Sequence, residues 1–237
     1  MLRSVKNIIR KLLFFLPDHL IGVIYFELYA YLGNLISRSL VLDTGAQNFI
    51  NIGSGPNVAT GCINIDFFST HGIDYGTDLR RPLKIADSSV DGVFSEHTIE
   101  HLTYADADRL LRECFRIMKP GGVIRIIVPD ISLFIKHFSD HDELWFKQWE
   151  QLIFINSDDK KRSKRRLASP LQAISFVTQE YGHVSSWDFP TVTYYLEKNG
   201  FSCVTKVSFM QGQCSQILFD QNNEERKFVS LYVEAQK

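Results

Sequence analysis

Two short apolar runs, at residues 48–52 and 62–66, stand close together in the chain. The first ends in Gly53-Ser54-Gly55 and the second in Asp66. Apolar runs of this length bounded by glycine read as buried strands. Glycines at the exit of one strand let backbone approach a ligand closely, and an acid ending the neighbouring strand can meet a ribose diol. The pair therefore suits a nucleotide-type cofactor. Gly53 lies thirteen residues before Asp66, whereas a dinucleotide fingerprint places its acid about 20 residues on. The first crossover helix is expected to be very short or absent, which disfavours NAD.

Downstream, strands and helices alternate. Further strands are expected at 73–76, 91–95 and 122–128. A helix is expected over Tyr104–Met118, where Ala107, Leu110, Leu111, Cys114, Phe115 and Met118 recur at helical intervals. It stops at Lys119-Pro120-Gly121-Gly122 and leads into the β-branched run Val123–Val128. Such alternation points to a parallel sheet with helices on its faces. Residues 131–180 read as helices around a charged loop, 158–166, and the whole of 131–185 reads as an insertion. A helix over Thr191–Asn199 and strand-like runs at 201–209 and 227–235 close the chain.

A single domain, 48–237, thus follows a helical appendage, 1–47. In the appendage Leu2, Val5, Ile9, Leu12, Leu13 and Leu16 share one helical face, opposite Arg3, Lys6 and Arg10. A basic amphipathic helix lies in a membrane interface or packs its apolar face on protein, and both readings stay open for residues 1–20. Neither a cleavable leader nor a membrane span is expected, because Pro17-Asp18-His19 and then Glu27 interrupt the apolar stretches. Net charge is −1, so no global field draws the chain to nucleic acid. The four cysteines have no metal-like spacing and read as buried, reduced thiols suited to the cytoplasm.

Five blocks carry a family resemblance: Asn51–Asn57, Ile63–Asp66, Asp78-Leu79 with Asp87–Asp91, Ser95–Leu102, and Met118–Gly122. In this order they resemble the Rossmann-like S-adenosylmethionine-dependent methyltransferases. The similarity is to a small bacterial group with a Glu-His-Leu box after the fourth strand. The resemblance spans about residues 48–130 and implies a seven-stranded sheet with helices on both faces. Pro56-Asn57 stands where the usual loop has a third glycine.

The resemblance implies a cofactor site of Gly53, Ser54, Gly55 and Asn57 beside the methionine part, and Asp66 on the ribose hydroxyls. Asp78 and Leu79 would flank the adenine, and Ser95 and Glu96 would lie at the end of the fourth strand. His97 is the expected base toward an oxygen or nitrogen acceptor, with His101 and His183 as further catalytic candidates and Glu100 orienting an imidazole. His137 and His141 have a spacing that can bind metal, but such a pair is usually solvated, and no metal site is assigned. The implied activity is methyl transfer to a small-molecule or glycan-type acceptor in surface-polysaccharide biosynthesis, in the cytoplasm and peripheral to the inner membrane face. A nucleic-acid methyltransferase using residues 160–166, a non-catalytic cofactor-binding membrane-associated protein, and an aminopropyltransferase-type enzyme are the alternatives. Oligomeric state is left open.

Overall fold

The computed structural model describes residues 15–17, 20, 21, 23, 24, 26–28, 30, 31, 40–43, 45–67, 72–155, 166–180 and 182–237. The basic face of residues 1–14 and all of the charged loop except Arg166 lie outside the described residues.

The strands are β1 (Phe49–Ile52), β2 (Ile63–Asp66), β3 (Tyr75–Gly76), β4 (Val90–Glu96), β5 (Met118–Pro129), β6 (Ser202–Val207) and β7 (Ser230–Gln236). They form one seven-stranded sheet in the order β3-β2-β1-β4-β5-β7-β6. β1 pairs in parallel with both β2 and β4, β4 pairs in parallel with β5, and β7 runs antiparallel to β5 and β6. The strand order therefore reverses between β1 and β4, the point at whose carboxyl edge open α/β sheets bind ligands.

The helices are α1 (Tyr104–Ile117), α2 (Ile131–Ser139), α3 (Glu143–Glu150), α4 (Pro170–Gln179), α5 (Phe189–Lys198) and α6 (Glu224–Val229). α1 forms where the apolar spacing places it, with the Thr103 hydroxyl accepting from the Asp106 amide at its start. The expected Lys119–Gly122 stop is instead a bulge within β5. Val90 pairs with Met118 and Gly92 with Val123, and the residues between are looped out at Gly121, where φ is +80°.

Period-two alternation assigns the two sheet faces. Ile50, Ile52, Val93, Ile124, Ile126, Val128, Leu231 and Val233 share the main core with residues of α1 and α5. Phe49, Phe94, Val123, Ile127 and Tyr232 face the other way and pack on Ile217, Phe209 and Phe219. A loop and a short 3-10 turn, Ser215–Ile217, thus cover much of the second face. A separate aromatic cluster joins Phe134, Phe146, Trp149, Phe154 and Phe176 of the insertion.

No helix lies between β1 and β2, and side chains hold that connection. Asn64 Oδ1 accepts from Asn51 Nδ2 at 3.0 Å and from the Ala59 amide at 2.9 Å, and Asn64 Nδ2 donates to the Ala59 carbonyl at 2.9 Å.

Two details depart from the sequence reading. The run 227–235 begins inside α6, because Asn223 caps a helix there by accepting from the Glu225 and Arg226 amides. Of the four cysteines only Cys114 is buried; Cys62 and Cys214 are half-buried, and Cys203 is exposed, since β6 is the sheet edge. Of the appendage, Ala30 is buried in the main core, Phe26 packs against it and Glu27 pairs with Arg80 at 2.6 Å. Among the described residues no helix is long and apolar enough to cross a membrane.

Candidate active site

β1 delivers Gly53 to the carboxyl edge with φ +72°, where an added Cβ would lie 2.1 Å from Thr98 Oγ1. Only glycine fits there. The Thr98 hydroxyl ties the ends of β1 and β4 together through contacts with the carbonyls of Ile52, Gly53 and Glu96 at 3.2–3.3 Å. The loop amides are engaged within the protein. Gly53 and Ser54 donate to the Ile65 carbonyl, and Gly55 donates to Asp66 Oδ2 at 2.7 Å. Asp66 thus braces the glycine turn. Asn57 donates its amide to the Ser54 carbonyl, and its own carbonyl accepts from Asn51.

What this edge offers a ligand is hydroxyls. Ser54 Oγ, Thr77 Oγ1 and Ser95 Oγ are buried without a hydrogen-bond partner among the described residues. Such groups are costly unless a ligand or water satisfies them. Ser54, with Gly53, Asn57, Glu96 and Gln221, lines a narrow cleft of about 20 Å³.

Asp78 and Leu79 do not line that cleft. Arg80 occupies both Asp78 oxygens, with Nε 2.9 Å from Oδ1 and Nη2 3.0 Å from Oδ2. The same guanidinium clamps Glu27. Leu79 is fully buried in the main core. Arg80, two residues on, pairs with the acid, and apolar packing surrounds the leucine.

The second opening is a cavity of about 270 Å³. His97, His101, His183, Asn223, Glu225 and Arg226 supply its polar lining, and Trp149 and Phe176 an aromatic wall. The three histidines named from sequence therefore meet in one place. His97 follows β4 directly with φ +50°, a conformation rare outside glycine and concentrated at functional sites. Its Nε2 lies 2.9 Å from Ser230 Oγ and its Nδ1 3.3 Å from Glu100 Oε1.

Burial, with the positive charge of Arg226 nearby, holds His97 well below the usual imidazole range, so it is neutral at pH 7. Burial also lowers His101 and His183, and pushes the Glu100 carboxyl up to about 8. His183 Nδ1 lies 2.6 Å from the Val177 carbonyl, which fixes its tautomer with the proton on that nitrogen.

Adjacent residues face the two openings: Glu96 lines the cleft and His97 the cavity. Glu96 Oε1 pairs with Arg226 Nη1 at 3.1 Å, and Glu96 Oε2 accepts from the Gln221 amide at 3.2 Å. Burial raises the Glu96 carboxyl, and the Arg226 charge works against that rise.

Residues 65–126 match a family model described as a methyltransferase domain. That segment, from β2 into β5, has the sequence pattern of a methyltransferase domain. No curated protein matches it. Among solved structures it is similar to an S-adenosylmethionine-dependent methyltransferase from Archaeoglobus fulgidus. That match has 17% identity and a TM-score of 0.47, and covers 82% of this chain and 87% of that one. A possible histamine N-methyltransferase from Thermotoga maritima matches at 15% identity and TM-score 0.47, over 90% of this chain and 91% of that one. Phosphoethanolamine N-methyltransferase 2 of Haemonchus contortus, in complex with S-adenosyl-L-methionine, matches at 12% identity and TM-score 0.45. That match covers 84% of this chain and 50% of the other.

The orphaned Ser54 and Ser95 hydroxyls, with Asp66 at the neighbouring strand end, fit the polar amino-acid and ribose parts of this cofactor. Arg226, Trp149 and Phe176 were not singled out from sequence. Arg226 sits in a polar stretch that reads as a loop. Its one signal was Asn223 followed by Glu224 and Glu225, a helix start.

Proposed function

We propose that this methyltransferase methylates an oxygen of a small-molecule or glycan-type acceptor, of the kind used in surface-polysaccharide biosynthesis, held in the His97–Arg226 cavity. The observation that carries this reading is the pair Glu96 and His97, consecutive residues facing the donor cleft and the cavity. A cavity of about 270 Å³ is at the small end of ligand pockets, which run from about 300 to 1,000 Å³. It suits one ring-sized unit, with an aromatic wall for the ring face and polar groups for its hydroxyls.

S-adenosylmethionine, when bound, supplies a methyl group on a positively charged sulfur. Ser54, Ser95 and Asp66 hold it at the carboxyl edge. His97 is neutral and therefore able to take the acceptor's hydroxyl proton on Nε2, exchanging its contact with Ser230 Oγ. Residues 1–20 add peripheral contact with the inner membrane face in this reading. Flotation with anionic liposomes tests that part, and equal binding after their deletion refutes it.

Calorimetric titration with S-adenosylhomocysteine tests the donor site, and no binding at millimolar ligand overturns it. Asp66→Ala weakens that binding. His97→Ala spares binding and slows turnover by roughly 10²–10⁴-fold, measured by transfer of label from the cofactor to an extracted acceptor pool. Turnover unchanged in His97→Ala refutes the base assignment.

A further inference from the structure

Glu100, His101 and His183 each bring one ligand atom to within 4.8 Å of the others. Among the described residues no other such group of His, Cys, Asp and Glu side chains forms. Glu100 is 1% exposed, yet neither of its oxygens has a hydrogen-bond partner among the described residues. Its contact with His97 Nδ1, at 3.3 Å, lacks hydrogen-bond geometry. A buried carboxyl group left in that state is costly unless a cation or hydrogen-bond partner arrives.

One of the two imidazoles is prepared for the same task. His183 gives its Nδ1 proton to the Val177 carbonyl, so its lone pair is on Nε2. Metal-binding imidazoles are oriented by such bonds from the second ring nitrogen. The His101 ring lies against Gly182, its Nδ1 3.7 Å from where a Cβ would stand on that residue. The His101 and His183 rings meet edge to face, with centroids 4.8 Å apart, and both line the cavity.

We propose that Glu100, His101 and His183 form a binding site for one divalent first-row transition ion, with its open coordination positions turned toward the acceptor cavity. Two imidazoles and one carboxylate select zinc, manganese, iron or cobalt over magnesium and calcium. The His137–His141 spacing that drew attention in the sequence holds no such set. His137 pairs with Asp142 at 2.9 Å and stacks on Trp145. An ion on Glu100 faces the place where an acceptor hydroxyl sits in the reading above. That consequence rests on the proposed function, whereas the ion site itself does not.

The test is calorimetric titration of the chelator-stripped, full-length protein with ZnCl₂, and visible absorption of the same protein loaded with Co²⁺. One Zn²⁺ per chain is expected, with a coordinated-cobalt spectrum. His183→Ala and Glu100→Gln should each weaken Zn²⁺ binding by at least about 100-fold, beyond the effect of losing an outer partner, and abolish that spectrum. His141→Ala should change neither. His101→Gln serves where either variant fails to fold by circular dichroism. Absence of binding to the wild-type protein, or binding retained in every folded ligand variant, overturns the site. S-adenosylhomocysteine titrated in parallel separates the two claims. Its binding without zinc binding removes the ion site alone, and the reverse result removes the donor site alone.

Discussion

Arg125 lies in the middle of β5 with its side chain fully buried, as are those of Asp220 and Glu234. Its Nε and Nη2 clamp Asp220 at 2.7 and 2.5 Å, and Nη1 reaches Glu234 Oε1 at 2.9 Å. The remaining protons go to the carbonyls of Gln211 and Ser208. An intact buried ion network adds little net stability, because desolvation offsets attraction, but removing one partner costs about 3–5 kcal/mol. Arg125→Met removes the one cation facing two carboxylates, so the upper end, about 5 kcal/mol, is expected. At about 2–4 °C per kcal/mol for a chain of this size, melting should fall by roughly 10–20 °C.

The loss should reach the donor cleft. Asp220 and Glu234 also accept the Met210 and Gln213 amides, so the guanidinium anchors the segment that packs Phe219 on Phe94 and sets the Gln221 amide on Glu96. Affinity for S-adenosylhomocysteine should fall along with stability. Urea titration at constant slope, thermal melting and calorimetry read these effects. The triple change Arg125→Met, Asp220→Leu, Glu234→Leu should recover most of the lost stability. A single variant within about 1 kcal/mol of wild type would refute the reasoning, since the stranded charges would then carry no penalty.

Two further outcomes concern Gly53 and Asp91. Gly53→Ala sets a methyl 2.1 Å from Thr98 Oγ1 at φ +72°, adding about 1–2 kcal/mol of left-handed backbone cost to about 1–3 of overpacking. Chemical denaturation and cofactor titration should both register it, and wild-type behaviour in both would show that the turn tolerates a side chain. Asp91 gives a pH signature. Burial pushes its carboxyl up, but hydrogen bonds from Lys119 Nζ and the Asn48 amide outweigh that and hold it below its ordinary value. Its folded pKa is depressed, so its stabilisation is present above the unfolded value of about 3.9 and lost as pH falls through the folded one. Asp91→Asn should therefore cost about 1 kcal/mol or less at neutral pH. The difference should close below about pH 4 in denaturation curves, and a pH-independent difference would exclude the ion pair as its source.

The sheet and its carboxyl edge were legible because their signals are local. A strand ending in Gly53-Ser54-Gly55, a strand ending in Asp66, and a helix with uniform apolar spacing each declare themselves within a few residues, and strand alternation then orders the sheet. Local legibility also has a limit. Asp78-Leu79 reads as a ligand site by position, and Arg80, two residues on, holds both oxygens of the acid. Spacing alone shows the arginine without showing which way it turns.

The His97–Arg226 cavity is built across the chain. His97 and His101 come from the end of β4, His183 from beyond the insertion, Arg226 from a helix that reads as loop, and Trp149 and Phe176 from helices whose apolar faces look like ordinary core. None of these has a spacing that announces a partner, and only the folded sheet sets Arg226 on Glu96. That ion pair links a residue of the cleft wall to one of the cavity wall, so in the proposed reading its geometry sets how closely an acceptor oxygen approaches the methyl group. Acceptor choice should therefore respond to Arg226 more than to the glycine turn. Arg226→Lys, which keeps the charge but shortens the reach and loses the planar fork, is expected to change which acceptors in a labelled extract are methylated, while S-adenosylhomocysteine affinity stays within about threefold, or less than 1.4 kcal/mol. An unchanged acceptor profile would mean that the pair is structural and that specificity lies in the aromatic wall.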